Sequence, residues 1–329
     1  LDVNGDTEQM RLTYASDTTK YTSFTVDTVG DMTITPSGGD ITLAVNKIKM
    51  SNSTNLAIGY AVLDATVTGI KNTVFGYNSM TAVTSGNRNT AVGYTCAPNM
   101  TTGYQNTCVG SESGQALTLG DSNTFCGALA GYNCTTGVSN TGLGFWSATA
   151  LTTGQRNFCL GALSGRYLTS QNDNMYIGAN VGYELTSASS RAILMGNNAA
   201  YYGASRDDCV ILGYQASDTN ANITSVISKS IVIGNYSGRV MSNSSYNILI
   251  SAYQGNHTTT TVTNQTRIGF ADSATTTCYI DGINGITLGS TGNMLCADSN
   301  GQLGTVSSNG IISTTQAINI VNTLSCDTS

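Results

Sequence analysis

From Asn55 to Gly178 a pentad that opens on Asn and closes on Gly returns every 17 residues without a slip. The closing column is Gly59, Gly76, Gly93, Gly110, Gly127, Gly144, Gly161 and Gly178. Four residues before each stands Asn55, Asn72, Asn89, Asn106, Asn123, Asn140, Asn157 or Asn174. Self-similarity at so short a period restricts the chain to a stacked architecture. One 17-residue unit cannot bury its own apolar face and must be covered by the next.

The period continues past Gly178 with small changes of step, through Gly196, Gly213, Gly234, Ser251 and Gly269. Thirteen repeats are therefore read, and the array is placed at residues 51–271. The longest step, 21 residues, contains Asn220 to Thr224, which reads as a loop inserted at a coil edge. A second glycine column, Gly69, Gly86, Gly103, Gly120, Gly137 and Gly154, lies ten residues after the first. Each coil thus has two glycine corners, where Gly supplies positive φ or lets backbones approach closely. Stacked Asn side chains at the strand spacing of about 4.8 Å pass amide hydrogen bonds along a column and satisfy the backbone at a tight corner.

Between the corners lies a short strand. The position before each closing residue is apolar in all thirteen repeats, from Ile58, Phe75 and Val92 to Ile233, Ile250 and Ile268. The preceding position points to the opposite side. It runs Ala57, Val74, Ala91, Cys108, Phe125, Gly142, Cys159, Tyr176, Leu194, Ile211, Val232, Leu249 and Arg267. A single-chain solenoid needs only one apolar side. Two such sides predict that one faces the chain's own core and the other faces neighbouring chains.

Composition agrees with an all-β chain. Charged residues are 10% of the total, Gly numbers 37 and Pro 2, and helix formers such as Lys, Glu and Arg are scarce. The net charge of −6 and the absence of a Lys/Arg cluster exclude a nucleic-acid partner. No apolar run approaches the roughly 18–20 residues that span a bilayer, so no membrane insertion is expected. Nine Cys with no Cys-x-x-Cys pair, and one His, argue against zinc. Cys108, Cys126 and Cys159 read as buried small hydrophobes in a chain assembled in a reducing cytosol, with an interchain disulfide left open.

Residues 1–50 lack the period and alternate in short β runs at Met10–Tyr14, Phe24–Val26, Met32–Thr35 and Ile41–Val45. They read as a β connector or shaft that takes its core from partner chains. Residues 272–329 read as a β end piece and tail, with a hairpin-like Asn300-Gly301.

Units such as Asn89-Thr90-Ala91-Val92-Gly93-Tyr94, with Thr102-Gly103 before the next, resemble the head repeats of trimeric autotransporter adhesins of the YadA type. They resemble still more the 17-residue variant in tail-fibre proteins of phages and large DNA viruses. The resemblance covers about two thirds of the chain. Thr33 to Asp40 looks like the connector that precedes such arrays, and Asp298 to Ser308 is similar to the segment leading into a self-cleaving chaperone. That chaperone uses a Ser and a basic partner. No Lys or Arg follows Arg267, so neither Ser307 nor Ser308 is assigned a catalytic role.

The resemblance implies a homotrimeric fibre or spike at a virion surface. Its expected partners are other virion fibre, baseplate or capsid proteins and a host-surface glycan or receptor. The alternatives are a bacterial trimeric surface adhesin, a single-chain β-helix with binding or antifreeze activity, and a glycan-degrading tailspike.

Candidate chemistry is thin, and no enzyme, cofactor, metal or catalytic residue is expected. Asp207-Asp208, the only adjacent acids, read as a solvated turn rather than a glycosidase pair, and His257 as a loop residue. Tyr104, Tyr201, Tyr202 and Tyr246 read as coil-edge residues suited to stacking on sugars. Eight Asn-x-Ser/Thr sequons, at Asn52, Asn99, Asn133, Asn222, Asn235, Asn243, Asn256 and Asn264, are about the number expected by chance.

Overall fold

The computed structural model describes residues 55–250 except 186–188, 219–225, 240 and 242. It also describes the backbone of six further strands: Met10–Tyr14, Asp17–Val26, Met32–Pro36, Thr266–Ile268, Met294–Ala297 and Leu303–Val306. All regular structure among the described residues is strand.

One sheet dominates. It holds 13 parallel strands in unbroken chain order from Leu56–Tyr60 to Thr266–Ile268. Each strand pairs with its equivalent one coil on, as Thr107, Cys108 and Val109 pair with Thr124, Phe125 and Cys126. The chain is therefore a parallel β-solenoid with a 17-residue rung and about eleven turns. Register survives the 21-residue step, because Val210 still pairs with Ile231. The inserted residues 220–224 lie outside the described residues.

The two strand columns separate as their parity requires. The column two before the closing glycine points inward. Val74, Ala91, Cys108, Phe125, Cys159, Tyr176, Leu194, Ile211 and Val232 are all completely buried. A second inner column meets them from across the coil, formed by Val83, Met100, Leu117, Cys134, Leu151, Leu168 and Leu185. Side-chain volumes are traded between neighbouring rungs. The Phe125 ring fits because the next rung carries Gly142, whose Cβ would lie 3.1 Å from Cδ1 of that ring.

The Asn column forms the expected ladder. The Oδ1 of each Asn accepts both the backbone N–H and the Nδ2 of the next, as Asn106 does from Asn123 at 2.9 and 3.1 Å. The Nδ2 of Asn123 also donates to the Gly137 carbonyl at 2.7 Å. Eight Asn rungs run from Asn55 to Asn174, whose Oδ1 ends the series on the backbone N–H of Ala192.

The two glycine columns answer different demands. The closing column has positive φ, as at Gly127 (135°), where a Cβ would lie 2.4 Å from the Gly144 carbonyl oxygen. The second column is required by close approach alone. At Gly120 no positive φ is involved, but a Cβ would meet the Gly137 oxygen at 2.4 Å. Left-handed backbone also recurs where no glycine stands. The residue before each Asn from Asn72 to Asn174 has φ near 60°, as in Ser122 (57°), Ser139 (58°) and Arg156 (54°). From Arg88 to Asp173 each donates its N–H to the previous coil, as Ser122 does to the Tyr104 carbonyl at 2.9 Å, and this rung offsets the local strain.

After Gly154 the second glycine column gives way to Gln171, Ser189, Arg206, Ile227 and Ser244. There the corner becomes a further parallel sheet of Ser205–Asp207, Val226–Ser228 and Ser244–Ser245. Separately, Met10–Tyr14, Asp17–Val26 and Met32–Pro36 form an antiparallel meander. Met294–Ala297 and Leu303–Val306 pair antiparallel, and Asn300-Gly301 lie outside the described residues. The run Ile41–Val45 lies outside the described residues.

Candidate functional site

Two surfaces of the array carry more than its stacking requires. The first is the outward face of the long sheet. Successive strands present two residues there: Thr73 and Phe75, Thr90 and Val92, Thr107 and Val109, Phe158 and Leu160, Ile193 and Met195, Ile248 and Ile250. None of the 24 residues at these two positions from Leu56 to Ile250 is charged. Ile58 (50%), Leu160 (38%), Met195 (37%) and Ile250 (39%) keep a large part of their surface exposed in the single chain. At the first three rungs the face is widened by Tyr60, Tyr77 and Tyr94, stacked at 5.2 and 5.5 Å. Cys126 lies on this face and is half-buried, which corrects its reading as a core thiol; Cys108 and Cys159 are fully enclosed. Parity is the cause, since Cys126 immediately precedes its glycine and the other two stand one place earlier.

The second surface is an aromatic edge built around one guanidinium. Arg166 lies 4.1 Å from the ring centroid of Trp146 on the previous coil, and 5.2 Å from the rings of both Tyr167 and Tyr183. Its Nη1 donates to the Tyr183 hydroxyl. The row continues with Tyr183 stacked on Tyr201 at 4.8 Å, and Tyr202 edge-on to Tyr201 at 4.5 Å. Phe145 stacks on Trp146 at 5.4 Å. Burial and the neighbouring Tyr202, Tyr183 and Glu184 push the Tyr201 phenol upward, so it remains a neutral donor at physiological pH. Cation–π contacts of this kind contribute about 0.5–2 kcal/mol each. Arg166, Tyr183 and Tyr201 share one repeat position, five after their closing glycines, whereas Trp146 stands only two after Gly144 and joins the row through stacking.

The structure brings Tyr201 and Tyr202 of the expected coil-edge tyrosines into this row and leaves the other two apart. Tyr104 is exposed. Tyr246 accepts a hydrogen bond from Lys229 Nζ at 2.9 Å. Lys229 and Tyr246 end an alternating corner column of Arg156, Asp173, Arg191, Asp208, Lys229 and Tyr246. Arg156 grips Asp173 at 2.6 and 3.0 Å, and Arg191 grips Asp208 at 2.5 and 3.2 Å. These hydrogen bonds hold both carboxyls below the usual range.

Asp207 and Asp208 are therefore more than a solvated turn. While Arg191 holds Asp208, the Asp207 carboxylate accepts from Ser190 N–H at 2.8 Å and Ser205 Oγ at 3.0 Å. The two acids serve separate structural contacts, Asp207 at the end of its strand and Asp208 at the left-handed corner that follows.

Arg206 is the least expected residue. It is completely buried where earlier coils carry the second glycine. Its Nη1 donates to the Ser205 carbonyl at 2.8 Å, and its Nη2 to those of Tyr202 and Ser217 at 3.0 and 3.1 Å. Desolvation lowers its pKa to about 10, which leaves it charged at neutral pH.

Among the described residues, no three His, Cys, Asp or Glu side chains group as metal ligands. No helix there is long and apolar enough to cross a membrane. His257, Ser307 and Ser308 lie outside the described residues. Asn99, Asn133, Asn235 and Asn243 of the sequons are exposed. Comparison of the chain with protein-family models, with characterised proteins and with solved structures returned no match.

Proposed function

We propose that the chain is a non-enzymatic structural and adhesive fibre protein of a virion. Three copies are packed side by side through the outward faces of their long sheets, and thirteen coils give a shaft about 60 Å long. The observation that supports this reading is the uncharged face itself. Two apolar or Thr residues per rung continue over twelve rungs, about 55 Å. Such a strip is far longer than the scattered apolar exposure of a monomer. A copy of the same chain has the same rung spacing, so its side chains interdigitate along the whole length. Partners of other spacing fall out of step.

The fibre supports attachment to a host surface, and the row around Arg166 is the surface it offers to a glycan or protein receptor. Rings that already face one another leave mainly edges and hydroxyls for that contact. The fibre joins other fibre, baseplate or capsid proteins at one end. Electron microscopy of intact particles with an antibody against the array tests the placement. Labelled spikes are expected; particles without label, beside labelled bacterial cells, would move the protein to a bacterial surface. Oligosaccharide release from host polysaccharide would overturn the non-enzymatic reading.

A further inference from the structure

The patch beside Arg166 is confined to three coils. Five and six residues after their closing glycines, these coils carry Arg166-Tyr167, Tyr183-Glu184 and Tyr201-Tyr202. In the five coils before, the same positions hold Thr81-Ala82, Pro98-Asn99, Gln115-Ala116, Tyr132-Asn133 and Thr149-Ala150, with one aromatic among ten residues. Those coils make the same parallel rungs, so stacking alone requires neither the rings nor the cation. The later pairs lie side by side. The Glu184 N–H donates to the Tyr201 carbonyl at 2.8 Å, and Glu184 pairs with Tyr202 in parallel register.

Charge sets this patch apart from the other corners. Arg156 and Arg191 each grip an aspartate one coil on, whereas no carboxylate among the described residues lies within ion-pair distance of Arg166. A guanidinium presents five N–H donors in a planar fork. Nη1 of Arg166 donates to the Tyr183 hydroxyl, and the Trp146 ring, 4.1 Å away, covers one face of the fork. The fork is therefore held flat and half-buried, an uncompensated cation in a chain of net charge −6.

We propose that this patch binds a carboxylated sugar chain, in which the carboxylate of a uronic or sialic acid residue docks on the Arg166 fork and neighbouring hydroxyls meet the tyrosines. The proposal rests on the receptor role given to the row above and names its chemistry. Two parallel N–H···O bonds to a carboxylate are the pairing that a guanidinium fork fits best. The polar groups around it suit hydroxyls. Tyr183 accepts from Arg166 and keeps its own hydrogen to donate, and Glu184 supplies an acceptor one coil from the cation. Tyr167, 40% exposed and 5.2 Å from Arg166, offers an apolar ring to a sugar face. The coil rise of about 4.8 Å is close to the length of one sugar ring, so successive sugars meet successive coils. A polymer charged at every unit fits less well, because a single cation stands beside Glu184 in an acidic chain.

The test measures binding of the full chain by biolayer interferometry to hyaluronan, which carries uronic acid, and to polysialic acid. Dextran, poly-L-glutamate and the carboxyl-reduced form of each acidic polysaccharide are measured beside them. Retention of either carboxylated polysaccharide is expected, weakening as salt rises, and shows which acid the patch takes. Dextran and the reduced forms, which keep rings and hydroxyls, should bind far less. Arg166→Gln should weaken binding at least about tenfold, the loss of a charge-assisted pair. Arg166→Lys should restore only part, since an ammonium lacks the fork. Both variants should keep the circular dichroism and assembly mass of the parent. If either unfolds, the reduced polysaccharides make the same test on the parent chain. Equal binding of reduced and native forms would overturn the proposal, as would unchanged binding by folded Arg166→Gln or no binding of either acidic polysaccharide. Poly-L-glutamate bound as tightly as the polysaccharides would also overturn it and make the ligand an acidic peptide. None of these results decides the fibre reading, which stands or falls on labelled particles.

Discussion

Replacing Asn123 by Ala removes one rung from the middle of the Asn ladder. The side chain takes part in four hydrogen bonds. Its Nδ2 donates to Asn106 Oδ1 at 3.1 Å and to the Gly137 carbonyl at 2.7 Å. Its Oδ1 accepts the backbone N–H and the Nδ2 of Asn140 at 3.0 and 3.1 Å. Some partners keep another contact: Asn106 Oδ1 retains the Asn123 N–H, and Asn140 Nδ2 retains the Gly154 carbonyl. The Gly137 carbonyl and the Asn140 N–H lose their ladder partner inside a fully buried column. At about 1–3 kcal/mol for each of the two stranded groups, the substitution costs about 2–6 kcal/mol. Two of the four bonds join Asn123 to Asn140. The double replacement therefore costs about 1–2 kcal/mol less than the sum of the single ones. Urea unfolding at one fixed chain concentration reads these values, because assembly links stability to concentration. Hydrogen exchange should rise first at residue 140. A loss below about 1 kcal/mol, or strict additivity of the pair, would show that the column is held by packing and that its amides contribute little.

Gly127→Ala forces a Cβ into left-handed backbone and against the Gly144 oxygen at 2.4 Å, so it should cost more than about 3 kcal/mol by urea unfolding; a near-neutral result would mean that coils slide apart easily. Burial pushes the Cys134 and Cys159 thiols up to about 12, so both should resist maleimide at pH 8 until the chain unfolds. Cys126 should react in dissociated chains and be protected in the assembly; equal labelling in both states would place it away from the interface. Arg156 and Arg191 depress the folded pKa of Asp173 and Asp208. Their contribution is therefore present above the unfolded carboxylate value of about 4 and is lost as pH falls through the lower folded value. The melting gap between the parent and Asp173→Asn should narrow below about pH 4 and at high salt. A gap constant from neutral pH to about pH 3 would contradict this.

The solenoid was legible because its columns repeat in register. The Asn ladder, the closing glycines and the inward strand column all recur at one spacing, and stacking turns that spacing directly into contacts. The second inner column, Val83 to Leu185, carries the same 17-residue signal and was visible in principle. The left-handed corners were not, because Ser122, Arg156, Asp173 and Lys229 have little in common chemically. Their conformation is imposed by the inter-coil hydrogen bond and not by their side chains. The charge column from Arg156 to Lys229 and the series Arg166, Tyr183 and Tyr201 also each hold one repeat position, so they too were visible in principle once the register was applied to polar positions; Trp146, at a different position of its coil, was not. Asp207 and Asp208 show the opposite failure: adjacency in sequence suggested one feature, but Asp207 closes the strand Ser205–Asp207 while Asp208 is a left-handed corner residue, and the two carboxylates meet different partners.

The central claim is that the uncharged outward face of the long sheet is covered by copies of the same chain. Light scattering on the purified full chain measures this directly. The account predicts an assembly of about three times the 34.1 kDa chain mass, broken into single chains by Lys at Ile193 and Ile231 together with coil circular dichroism unchanged. A stable, monodisperse species of 34.1 kDa for the parent chain would contradict it.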